Sequence, residues 1–243
     1  MVGEWEPADV HVFSKHWDRE DVGRAEASPC AIFDLCDDHF AGPHGDHYRA
    51  MCDRCHVVVS SVRLGERVLE ETGKRATYIP EPYELPDGVV KEPVAEPVAL
   101  WFGHASNLEQ LRTCGYKGKL LVCTNAPGFV PYSRDNLIRC LEACDFVIIP
   151  QNKDWKSANR LVESLRSGRF VVASDIPAYR GFAQYLGDIG EGVEWLKSNR
   201  GRITERIISG RQGLHSFHPE SVGRMWYDCI SAAVKRSSVG IST

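Results

Sequence analysis

Lys156, Ser157, Asn159, Arg160 and Glu163 crowd into one stretch directly after the apolar run Asp145–Pro150. Ser157 reads as the N-cap of a helix. The free backbone N–H groups there, with Lys156 and Arg160, make a site for a phosphate or diphosphate. Glu163 follows about one turn later on a helix whose apolar face is Leu161, Val162 and Leu165. A carboxylate so placed can accept hydrogen bonds from two ribose hydroxyls. Each residue also has a plainer reading: Glu163 as a solvated helix residue, Lys156 and Arg160 as surface cations, Ser157 and Asn159 as caps alone.

Further groups sit where strands are expected to end. Asp37, Asp38 and His39 follow Phe33–Cys36 and could orient an acceptor hydroxyl or act as general base; a hydrogen-bonded turn explains them equally. His104 and Asn107 follow Gly103 after the run Val98–Phe102, with helix capping as the alternative role. The spacing Cys52, Cys55, His56 invites comparison with zinc sites, but no second paired-Cys motif completes four ligands. The same run reads as the end of a helix turning Tyr48, Met51, Cys52 and Cys55 inward, so no metal is assigned. Nine cysteines, several within apolar segments, suit reduced buried thiols better than a disulfide framework. Trp101, Trp195 and Trp226 fall on apolar faces and read as core.

The elements that must position these groups alternate. Strands are expected at Val10–Ser14, Ala31–Leu35, Val57–Ser60 and Ala76–Ile79, with helices over Asp18–Ala27 and Leu64–Thr72, the latter closed by Gly73. A proline-rich linker, Pro80 to Pro97, follows. Buried parallel strands are then expected at Val98–Gly103, Lys119–Cys123, Asp145–Ile149 and Phe170–Ser174. Their helices fall at Ser106–Cys114, Ser133–Ala143, Ala158–Ser167 and Tyr179–Leu186, with more helix near Val193, Ile203 and Ser221–Lys235 and a frayed tail from Ser237. This is an α/β protein of two Rossmann-like halves, divided as residues 1–92 and 93–243, with chemistry at the carboxyl ends of the strands. The chain has 243 residues, 43% of them hydrophobic, and a formal net charge of -4. It offers no domain-wide basic field for a nucleic acid duplex and no apolar run long enough for a membrane span. The opening residues, with early acids and no apolar segment, are unlike a secretory signal, so a cytoplasmic protein is expected.

The stretch Asp145–Pro150, Asn159–Gly168 and Arg169–Pro177 resembles the donor-binding segment of GT-B glycosyltransferases, especially the retaining group that includes sucrose and glycogen synthase relatives. Val98–Asn107, Phe33–Phe40, Val57–Ser61 and Ile79–Pro82 resemble other segments of that family less specifically, in the family's order, so that the likeness runs from Ala8 to about Lys235. It implies a GT-B-like fold with a shortened N-terminal, acceptor-side domain. The C-terminal domain would then bind a UDP- or GDP-sugar as co-substrate, with no tightly bound cofactor. It assigns Glu163 to the ribose and the turn at Gly103, His104 and Asn107 to the diphosphate or acceptor. The family's usual basic residues are absent from that turn, so Lys156 and Arg160 replace them. Many members carry a second Glu eight residues before the first, close to the sugar; here that position is Trp155.

The expectation is therefore a glycosyltransferase acting with retention. Asp38 and His39 stand on the acceptor side, Lys156 and Arg160 stabilise the departing phosphate, and Gly103, His104, Asn107, Ser157, Asn159 and Glu163 hold the donor. The acceptor, whether a glycan, a small molecule or a modified base, is not identified by the sequence, which also leaves room for a homo-oligomer. Two alternatives stand beside it: a non-catalytic nucleotide-sugar-binding module or partner subunit, and a nucleic-acid base glycosyltransferase.

Overall fold

The computed structural model describes residues 8–14, 18–185 and 189–239. They form two compact units, described separately: Met1–Glu81 with Trp155–Ser157 and Glu220–Thr243, and Pro82–Asp154 with Ala158–Pro219.

In the first unit β1 (His11–Ser14), β2 (Ala31–Leu35), β3 (His56–Val59) and β4 (Thr77–Tyr78) form an all-parallel sheet in the order β1-β2-β3-β4. The connections are α1 (Asp21–Ala27), α2 (Gly45–Arg54) and α3 (Val62–Thr72). Side chains alternate along a strand. Phe33, Leu35, Val57 and Val59 therefore enter one apolar cluster, with Tyr48, Met51, Cys52, Leu64 and Val68 of the helices. Ile32 and Val58 point to the other face, where Val222, Cys229 and Ala233 of α9 (Pro219–Val239) cover them. The division of the chain is thus not a single cut: the last helix returns because that face would otherwise stand open to water. Ser61 caps α3 through the Leu64 N–H at 3.1 Å, and Gly73, at φ 71°, closes it as expected. The tail read as frayed from Ser237 is helical to Val239. Residues 240–243, the opening heptad and Leu186 lie outside the described residues.

The second unit has the order β6-β5-β7-β8, again all parallel, from β5 (Ala99–Phe102), β6 (Leu120–Cys123), β7 (Phe146–Ile149) and β8 (Phe170–Ala173). Helices α4 (Leu108–Thr113), α5 (Arg134–Ala143), α6 (Asn159–Arg166), α7 (Ile189–Ser198) and α8 (Ile203–Gln212) cover both faces. Leu100, Phe102, Val147, Ile149, Val171 and Ala173 enter one core. Ala99, Trp101, Phe146, Ile148, Phe170 and Val172 enter the other. Being buried on both faces is why these strands read as unbroken apolar runs. The helix expected at Tyr179–Leu186 is instead a 3-10 segment, Pro177–Tyr185, with Gly181 in its middle disfavouring a regular helix.

The proline-rich stretch connects the two sheets, but it is pinned down rather than slack. Tyr83 N–H donates to Phe217 O, Gly88 N–H to Arg166 O and Lys91 N–H to Gly168 O, each at 3.1 Å. Buried Arg169 spends its guanidinium on main-chain carbonyls, including Leu141 at 2.6 Å and Val89 at 2.7 Å. Arg211 binds Leu165 O at 3.0 Å and also Gly88 O.

Candidate functional site

From β5 the chain passes to β6 on one side, then crosses back to β7 on the other. The crevice at such a reversal, outside the carboxyl ends of the strands, is where open α/β sheets bind ligands. A cavity of about 520 Å³ lies there, within the second unit. Phe102, Gly103 and His104 line it from the end of β5, Asn159, Arg160 and Glu163 from α6, Asn125 from beyond β6, and Tyr132, Arg134 and Leu137 from the start of α5. Glu84 and Leu85 of the strap complete it.

Glu163 is 7% exposed. Its Oε1 accepts the Glu84 N–H at 2.6 Å and its Oε2 the Leu85 N–H at 3.1 Å. Burial pushes its carboxyl above the usual range, opposed by those two N–H donors. An ionised carboxylate offers about four lone-pair sites. Two are occupied by the strap and two are left for a ligand. The fixed backbone bonds also hold the side chain still, which a solvated helix residue lacks.

Arg160 lies one turn before Glu163, on the same side of α6. Its Nη1 donates to Phe102 O at 3.3 Å. Among the described residues no carboxylate comes within ion-pairing distance of it, and burial depresses its pKa. A guanidinium has five N–H donors, so most are unspent. Even half-buried, a cation without a counter-charge is partly desolvated at a cost, and an anion entering the cavity relieves it. Gly103, at φ 157°, keeps this wall open: a Cβ there would stand 3.4 Å from Arg160 Nη1. Asn159 opens α6, and its Oδ1 is buried with no partner among the described residues. Tyr132 reaches the electrostatic neighbourhood of Glu84 and Glu163, and its phenol is held above the ordinary value, chiefly by burial.

Gly103, His104, Asn159, Arg160 and Glu163 are thus brought together as the sequence suggests. Five other expected residues are placed elsewhere. Asn107 does not line the cavity; its Oδ1 takes the Gln110 amide at 3.5 Å. His104 has a capping bond as well, accepting the Ser106 N–H at 3.3 Å. Ser157 is not the N-cap of α6: Ala158 holds that position with no side-chain cap bond, because the Ser157 hydroxyl donates to the Glu81 carboxylate at 2.8 Å. Lys156 gives its ammonium to Asp37. Both belong to the first unit with Trp155, whose ring packs on that unit's core and whose carbonyl accepts the Ser61 hydroxyl at 2.5 Å. Asp38 accepts the Phe40 N–H at 3.0 Å and Arg67 Nε at 3.0 Å, the geometry of a hydrogen-bonded turn. His39 is exposed, its ring 4.8 Å from that of Tyr48. Glu84, Leu85, Asn125, Tyr132 and Arg134 escaped sequence reasoning. They come from loops without periodicity, and only the aromatic and basic character of Tyr132 and Arg134 just before a helix hinted at them.

A larger cavity, about 690 Å³, lies at the opposite strand ends beside Pro97 and Lys119. On its rim Lys119 is paired with Glu96 at 2.8 Å and Lys197 with Glu194 at 2.8 Å, so those charges are already met. Among the described residues no group of His, Cys, Asp and Glu is arranged to hold a metal ion. No helix among them is long and apolar enough to cross a membrane.

No protein-family model matches the chain, and no curated protein matches it in sequence. Solved structures do match in fold. A variant of S. aureus TarM, crystallised with UDP, fondaparinux and α-GlcNAc-glycerol, is 15% identical with a TM-score of 0.63, covering 82% of this chain and 50% of its own. Anabaena HepE in complex with UDP is 14% identical with a TM-score of 0.63, covering 91% and 78%. The GtfA/B complex is 11% identical with a TM-score of 0.63, covering 95% and 58%. The chain therefore spans about half the length of the TarM structure. At these identities the likeness is one of fold, and that fold is the GT-B arrangement of two parallel-sheet α/β domains.

Proposed function

We propose that the chain is a glycosyltransferase whose second unit holds a nucleoside diphosphate sugar. The observation that carries this reading is the pairing, in one cavity at the sheet's switch point, of a half-buried guanidinium with no carboxylate partner among the described residues and a fixed, buried carboxylate one helical turn away. Arg160 and the amino end of α6 take the diphosphate, Gly103 admits it, and Glu163 accepts the ribose hydroxyls. A UDP- or GDP-sugar fits this chemistry, and the UDP complexes of HepE and TarM, which share the fold, support it.

The reaction in this reading moves a sugar with retention. The acceptor hydroxyl attacks the anomeric carbon from the face that the diphosphate leaves. As the C–O bond to phosphate breaks, a departing phosphate oxygen takes the acceptor's proton. What the protein must supply is stabilisation of the developing charge, which Arg160 and the α6 dipole provide without reorganising. Lys156, neutralised by Asp37, is not needed for that task. The first unit is the acceptor side, where exposed His39 is the group at the end of β2 available to orient a hydroxyl.

Incubation with a panel of UDP- and GDP-sugars and candidate acceptors, read as nucleotide release, tests the proposal. Release that rises with one donor and is lost in Arg160→Met supports it. A wild-type chain that binds none of the panel at millimolar concentration refutes it.

A further inference from the structure

With ribose at Glu163 and diphosphate at Arg160, the polar lining of the cavity without a task is Glu84, Asn125, Tyr132 and Arg134. All four are exposed, so a ligand in the cavity can reach them. The base hangs from the ribose at the end away from the phosphates, which puts it beyond Glu163 and among these residues. Two are partly spent on their neighbours: Asn125 Oδ1 accepts the Tyr132 N–H and Arg134 Nη2 donates to Glu84 O, each at 3.1 Å. Glu84 is different. Its backbone N–H holds Glu163 at 2.6 Å, while its carboxylate has no hydrogen bond or ion pair among the described residues. The charge of that carboxylate acts on both the Tyr132 phenol and Glu163, so it stands in their neighbourhood.

An ionised carboxylate can only accept. The edge of guanine presents two parallel donors, the ring N1–H and the exocyclic amino group, spaced for the two oxygens of one carboxylate. Uracil presents a single N3–H between two carbonyl oxygens, which a carboxylate repels. Adenine sets its amino group beside a ring acceptor. Resting on the donor-site reading above, we propose that the donor is a guanosine diphosphate sugar, selected by the Glu84 carboxylate accepting the guanine N1–H and amino group. Arg134, with donors beyond the one given to Glu84 O, suits the guanine carbonyl oxygen, and the exposed Tyr132 ring offers a face on which the purine stacks. HepE and TarM were crystallised with UDP, but at 14% and 15% identity the shared fold does not carry their base to this chain.

The test is titration calorimetry of wild type, Glu84→Ala and Glu84→Gln with GDP, UDP and ADP, with thermal midpoints recorded. Glu84 is exposed and holds Glu163 through its main chain, so both variants should keep the fold and the Glu163 geometry. Wild type should bind GDP at least about tenfold more tightly than UDP or ADP, the effect of one hydrogen bond to a charged group. Glu84→Ala should weaken GDP about tenfold and leave UDP within about twofold. Glu84→Gln pairs one donor with one acceptor, as uracil does, and should narrow or reverse the preference. Wild type favouring UDP or ADP, or GDP affinity unchanged in both variants, overturns the proposal while leaving the donor site standing. If wild type binds none of the three, the proposal falls together with the donor-site reading.

Discussion

Replacing Arg160 by methionine separates a ligand-binding cation from a structural one, because the two roles predict opposite effects on stability. In the folded chain the guanidinium makes one long bond, 3.3 Å to Phe102 O, and has no carboxylate partner among the described residues. Losing that bond costs about 1 kcal/mol. Against it stands relief of the partial desolvation cost of an unpaired, half-buried charge, of comparable size. Arg160→Met should therefore leave the thermal midpoint unchanged or raise it; at this chain length 1 kcal/mol corresponds to roughly 2–4 °C. Ligand binding should move the other way. A diphosphate taking two charge-assisted bonds loses about 1.5–3 kcal/mol for each, hence about a hundredfold or more in affinity. Scanning calorimetry gives the midpoint and titration calorimetry with UDP and GDP gives the affinity. A midpoint lowered by more than about 5 °C with nucleotide affinity intact would refute the reasoning, since Arg160 would then be a strut rather than an anion site.

Glu163→Gln supplies a pH test. Burial raises the Glu163 pKa in the folded state, so its contribution to stability is complete below the unfolded value of about 4.5 and is lost as pH rises through the folded value. Denaturant titrations should show the stability of wild type relative to Glu163→Gln falling as pH rises above about 4.5; a constant difference would contradict the assigned environment. Gly103→Ala combines an unfavourable φ of 157° with a methyl beside Arg160, and should weaken nucleotide binding about tenfold while costing about 1 kcal/mol of stability. Unaltered binding would mean the ligand does not approach that turn. Burial holds the Cys52, Cys55 and Cys144 thiols up at about 12, whereas Cys36 and Cys114 are partly exposed. Iodoacetamide at pH 8 should therefore label Cys36 and Cys114 in the native chain and all nine cysteines in denaturant, counted by mass spectrometry. Rapid native labelling of Cys52 would overturn that packing.

The parts legible in the sequence are those set by local pattern. Ala31–Leu35 was bounded to the residue, and Phe146–Ile149 and Phe170–Ala173 to within one, because runs buried on both faces carry their own signature. Ser133 and Gly73 act as the cap residues their types suggest. Glu163 and Arg160 were legible as a spacing on one helix face, yet what fixes them was not. The partners of Glu163 are the backbone N–H groups of Glu84 and Leu85, and an N–H has no residue type to read. Ser157 misled for a related reason. A serine ahead of a helix is a natural cap until another acceptor claims its hydroxyl, and Glu81, distant in sequence, does so. The strap from Pro82 looked slack because its prolines deny it regular structure; Arg169 and Arg211, which hold it, announce nothing about carbonyls far along the chain.

A crystal of the chain soaked with the nucleotide it binds most tightly bears most directly on the donor site. The account predicts diphosphate density against the Arg160 guanidinium and the first turn of α6, with both ribose hydroxyls within hydrogen-bond distance of the Glu163 carboxylate. Nucleotide bound elsewhere, with Arg160 still turned only to Phe102 O, would contradict it.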